Sequence, residues 1–136
     1  MGQPCKTCPM KRPFLALILL AASGLAACDT SPKPPGDAGV CYHYVQPKGQ
    51  PARFNLLARN VPTLEQCAAD LEAMRLHFLG LGGSQVEITG AYQTKFLFLE
   101  REGIFTADSL NGASYLALVR TQDGRLAPPG AEPAPQ

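Results

Sequence analysis

Along the middle of the chain the spacing of apolar positions shifts from every second residue to a helical repeat and back, and each shift marks an element. From Val40 to Gln46, Tyr42 and Tyr44 alternate with Cys41, His43 and Val45, which is the pattern of a strand. Pro47-Lys-Gly-Gln-Pro51 turns the chain into a second strand, Ala52 to Ala58, that pairs with the first as a hairpin. Thr63-Leu-Glu-Gln66 then opens a helix with a capping-box pattern, in which the Thr63 hydroxyl and the Gln66 side chain satisfy free backbone donors reciprocally. Leu64, Cys67, Leu71, Met74 and Phe78 fall on one arc of that helix, while Glu65, Ala69 and Glu72 point away. Gly80 stands where a left-handed cap would end it, and Leu81-Gly-Gly-Ser84 completes the turn.

From Gln85 the period returns to two. Val86 and Ile88 lead into Gly90-Ala-Tyr-Gln93, Lys95-Phe-Leu-Phe-Leu-Glu100 alternates aromatic with aliphatic residues, and Ser114-Tyr-Leu-Ala-Leu-Val119 is the last strong strand. Glu102-Gly103, Asn111-Gly112 and Asp123-Gly124 are turn signals. The expected fold is α+β, a small antiparallel sheet of about four to five strands with one helix packed on one face.

The flanks read differently. Thirteen prolines are present, yet Thr63 to Ala127 contain none. Residues 28–39 include Thr30-Ser-Pro-Lys-Pro-Pro-Gly-Asp-Ala-Gly39, which lacks the apolar surface needed to offset chain entropy and is expected to be a flexible linker. Residues 127–136, rich in Pro and Ala, are expected to form a disordered tail, leaving 40–126 as the single small domain.

Ahead of the linker, Lys11 and Arg12 precede the apolar run Phe14-Leu-Ala-Leu-Ile-Leu-Leu-Ala-Ala22, followed by small residues up to Cys28. A basic start, an apolar middle and a small-residue end make a signal peptide over residues 1–27, whose apolar run is too short to span a bilayer comfortably. Met10-Lys-Arg12 is itself an ordinary signal-peptide beginning, which makes Met10 the alternative start to Met1. Leu25-Ala-Ala-Cys28 resembles the lipobox of bacterial lipoprotein precursors, a match that covers Met10 to Cys28. The resemblance implies a diacylglyceryl group on the Cys28 thiol, cleavage between Ala27 and Cys28, and acylation of the new amino terminus. Each buried methylene adds about 0.8 kcal/mol, so several chains anchor the protein to a membrane in effect permanently. Asp29 is similar to the signal that retains enteric lipoproteins in the inner membrane, and the choice between inner and outer membrane stays open.

Cysteine bookkeeping follows from the leader. Cys5 and Cys8 form a CxxC pair, but they leave with the signal peptide; Cys28 takes lipid; Cys41 and Cys67 remain. An oxidising compartment favours pairing the two that are left, so a Cys41–Cys67 disulfide is expected.

Charge and candidate chemistry narrow the function. After Cys28, nine Lys and Arg stand against eleven Asp and Glu, with no basic stretch to neutralise phosphates, which excludes nucleic acid as a partner. His43 and His77 have no evident triad partners, the serines at 31, 84, 109 and 114 lack a nucleophile elbow, and Glu100, Glu102 and Asp108 suit an acidic turn better than paired acid and base. The Gly-rich stretch at 80–83 follows a helix, whereas a phosphate loop precedes one. The chain is therefore expected to be non-enzymatic, with no cofactor and no metal. It is read as an envelope lipoprotein facing the periplasm, whose partners are the membrane, through Cys28, and an envelope protein. Tyr92, Phe96, Phe98 and Tyr115 are candidates for an interaction surface, with Leu76 on the helix as a second patch. The helix-on-sheet layout is also broadly similar to small peptidoglycan-binding domains of the SPOR type, which implies glycan binding as the alternative.

Overall fold

A computed structural model describes residues 30–131. The leader, the lipobox, Cys28 and Asp29 lie outside the described residues, as do residues 132–136 of the tail. Strands β1 (Val40–Val45) and β2 (Arg53–Arg59) form the first hairpin; helix α1 (Leu64–Gly80) follows; then come β3 (Ile88–Tyr92), β4 (Lys95–Leu99), β5 (Ile104–Ala107), β6 (Tyr115–Arg120) and β7 (Leu126–Ala127). They build one antiparallel sheet in the order β2-β1-β3-β4-β5-β6-β7. The fold is α+β with one helix on the sheet, but among the described residues the sheet has seven strands, not four to five. The additional strands are the shortest. β5 has four residues between two turns, and β7 has two, brought back by a turn in which the Gly124 N–H bonds Thr121 O at 2.9 Å and Gly124 takes φ 79°.

Helix α1 covers one face. The Thr63 hydroxyl accepts from the Gln66 N–H at 3.2 Å, which is half of the expected box; the Gln66 amide turns forward instead and donates to Asp70 at 3.0 Å. The left-handed cap falls at Gly82 (φ 90°) rather than Gly80, with Gly82 N–H to Leu79 O and Gly83 N–H to Phe78 O both at 3.0 Å, a Schellman closure. Cys67, Ala68 and Leu71 are fully buried against Cys41, Leu97, Leu99 and Ile104. Phe78, expected on the same arc, is 49% exposed. A side chain on Gly90 would overlap Leu71, so the bare backbone of β3 is what lets the helix lie this close. Cys41 and Cys67 form a disulfide with Cα atoms 5.4 Å apart, tying β1 to α1 beneath that packing.

Glu72 departs most from the sequence reading. It is 6% exposed and binds two arginines: Arg75 one turn on, at 2.9 and 2.7 Å, and Arg120 of β6, at 2.7 and 3.0 Å. Burial alone would raise its pKa, but the hydrogen bonds and charge of Arg75 and Arg120 outweigh that and hold it at about 2.

The β3–β4 turn is made by Gln93 and Thr94, with φ 43° and 68°, a mirror-image turn that the right-handed twist of a hairpin favours. Thr94 is branched at Cβ and pays strain there; its N–H is bonded to Pro35 O at 2.9 Å. Farther on, the Val61 N–H reaches Gly39 O, also at 2.9 Å. The segment ahead of β1 thus meets the sheet at the end that holds the β3–β4 turn and the start of α1.

Candidate functional site

Strand alternation sends Tyr42 and Tyr44 of β1 to the face opposite the helix, where cross-strand pairing sets them against Leu56 and Phe54 of β2. On the same face, Phe96 and Phe98 of β4 stand opposite Ala107 and Phe105 of β5. The rings interlock. Phe54 lies 5.2 Å from Tyr44, 6.1 Å from Phe96 and 6.4 Å from Tyr42, and Phe96 lies 5.6 Å from Tyr44 and 6.2 Å from Phe98, by centroid. Those spacings are in the range of favourable edge-to-face and offset contacts. Phe96 is fully buried and Tyr44 nearly so, while Tyr42, Phe54 and Phe98 keep exposed area and Leu56 is 48% exposed.

The proposed surface residues do not form one patch. Phe96 and Phe98 belong to this aromatic face. Tyr92 is on the helix side, buried, with its hydroxyl donating to Val61 O at 2.8 Å, and so holds the strand to the chain entering α1. Tyr115 is 70% exposed on β6, opposite Thr106, away from the stacked rings. Three contributors are not evident from the sequence as members of this surface: Tyr42, Tyr44 and Phe54. Their shared parity and the β1–β2 hairpin were visible, but the pairing of β1 with β3 was needed to bring them to β4.

At the end of the face away from the β3–β4 turn, the rings run into a cleft of about 550 Å³. Tyr44 and Phe98 form aromatic wall, and Gln46, Gln85, Glu87, Thr89 and Glu100 supply polar groups. The Tyr44 hydroxyl donates to Gln46 at 2.6 Å, and burial raises its pKa. Tyr42 at the other end donates to Asp37 at 2.7 Å, a bond to the carboxylate that raises its pKa, with burial adding to it.

The other candidate chemistry is dispersed. His43 lies on the helix side of β1, where its Nε2 is buried with no hydrogen-bond partner and burial lowers its pKa. It borders a small apolar hollow of about 120 Å³ with Met74, Phe78 and Ile88. His77 is in the last turn of α1, and Asp108 forms an ion pair with Lys95. Among the described residues, no group of three or more His, Cys, Asp and Glu side chains is placed to hold a metal ion. Nor is any helix among them long and apolar enough to cross a membrane. Compared with known proteins, the chain matches no family model, no curated protein and no solved structure.

Proposed function

We propose that this protein is a lipid-anchored envelope protein whose helix-free sheet face is a contact surface for another envelope protein. One observation carries the reading: a connected layer of five aromatic rings on the face that α1 leaves uncovered, with Tyr42, Phe54 and Phe98 only partly buried. A single helix shields one side of an antiparallel sheet, and large rings held at the other surface are what protein interfaces use as anchors. The anchor itself rests on the lipobox resemblance at Leu25 to Cys28.

Two measurements test this. Cys28→Ala is expected to move the protein from the membrane to the soluble envelope fraction, and an unchanged distribution would refute the anchor. A photo-crosslinking residue at Leu56, on the aromatic face, is expected to capture a discrete protein in intact cells, whereas one at Leu76, 53% exposed on the helix, is not. Equal capture at both positions would remove the face from consideration.

A second reading, glycan binding, is favoured by the cleft alone, where ring faces stand beside side-chain amides. Co-sedimentation with purified sacculi that is lost on Phe98→Ala is its expected mark, and failure to sediment eliminates it.

A further inference from the structure

The cleft at the distal end of the aromatic face has a charge pattern of its own. Strand parity brings Tyr44, Gln46, Glu87, Thr89, Phe98 and Glu100 to the same side. Glu87 and Glu100 are the charged residues of its lining, and neither takes part in the ion pairs formed by the described residues. Arg75 and Arg120 share Glu72 on the helix side and reach this end at the backbone oxygens of Val86, Glu100 and Arg101, forming no ion pair with Glu87 or Glu100.

We propose that this cleft binds an organic cation, a primary ammonium group carried on an aliphatic stem of a peptide. The proposal rests on the reading of the helix-free face as a binding surface and names what its distal end takes. Phe98, only partly buried, offers a ring to the cation, and the carbon surface of Phe98 with the edge of Tyr44 left exposed suits the stem. Glu87 and Glu100 supply the counter-charge, and the Gln46 and Gln85 amides and the Thr89 hydroxyl can bond the flanking peptide groups. An anion would meet two unneutralised carboxylates. A neutral sugar would find the rings and amides but would leave those charges uncompensated. A cleft of about 550 Å³ falls within the size of small-ligand sites and holds one long side chain with its adjoining backbone.

The test uses the full-length lipidated protein in neutral detergent micelles, titrated with N-acetyl-lysine methylamide and followed by backbone amide chemical shifts. Saturable shifts confined to residues 44–47, 85–89 and 98–100 are expected. Affinity is expected to fall by about tenfold when the probe is acetylated on its amine, by a similar factor in the Glu87→Gln/Glu100→Gln protein, and progressively as salt is raised. Equal binding of the acetylated probe, equal binding by the double variant, or no saturable response would each overturn the proposal. So would a neutral chito-oligosaccharide that shifts these amides when lysine does not. Crosslinking at Leu56 that persists in the Glu87→Gln/Glu100→Gln protein separates the two readings: lysine failing while that capture stands refutes the cation site alone.

Discussion

A carboxylate with two guanidinium groups around it is stabilised only while it is charged. Glu72 is in that position, with its pKa brought from an ordinary 4.5 to about 2. The folded state therefore binds its proton later than the unfolded chain does, so the contribution is complete above pH 4.5 and is lost as pH falls from there toward 2. The size of that shift corresponds to about 3 kcal/mol. Glu72→Gln is expected to lower stability at pH 7 by about that amount and to flatten stability over this window, measured by urea unfolding at a series of pH values. His43 acts over a different interval. Its buried, unpartnered Nε2 and lowered pKa mean that the unfolded chain takes up a proton first, so stability is complete above about pH 6.5 and declines as pH falls below it. His43→Leu is expected to abolish this first decline while changing stability at pH 7.5 by less than about 1 kcal/mol, since no hydrogen bond is lost. If the decline between pH 6.5 and 5 persists in the leucine variant, another group is responsible.

At the level of elements, the join between α1 and the sheet carries the fold. Removing the Cys41–Cys67 bond, which closes a separation of 26 residues, with Cys41→Ala/Cys67→Ala is expected to cost about 3 kcal/mol and to lower the midpoint of thermal unfolding accordingly. Gly90→Ala would push a methyl into Leu71, and about 1–3 kcal/mol of destabilisation is expected from the overpacking, read by denaturant unfolding. Much of this join was legible in the chain: β1, the span of α1, and the buried positions of Cys67 and Leu71 follow from period and spacing. The misreadings have physical causes. β5 and β7 are too short for alternation to register, and β7 exists only because a turn at Gly124 returns it to β6. A helical projection placed Glu72 in solvent because it records direction along one helix, whereas the partner that buries Glu72 comes from β6, 48 residues later. The aromatic face was half legible, since Phe96 and Phe98 share a parity that sequence reveals, but their union with Tyr44 and Phe54 depends on strand order.

On the scale of the whole molecule, entry and cleft occupy opposite ends. The chain arrives beside Thr94 and Gly39, runs up β1, and reaches the cleft at Val45 and Gln46. With a rise of about 3.3 Å per residue, the six residues of β1 separate the two points by about 20 Å. On the reading of Cys28 as the anchor, the tether joins the domain at the end of the sheet opposite the cleft. Tension is the further consequence. A pull between the membrane and a ligand in the cleft would run along the axis of β1, which is bonded to β2 on one side and β3 on the other. The hydrogen bonds of both ladders would share the load side by side instead of opening one after another, and the disulfide at Cys41 would pass part of it into α1. Pulled through Gly36 and Gln46 in a single-molecule experiment, the domain is expected to resist a higher force than when pulled through Gly36 and Arg59, where β2 can peel from the edge. The reverse order would show that β1 is not the strand that bears the strain.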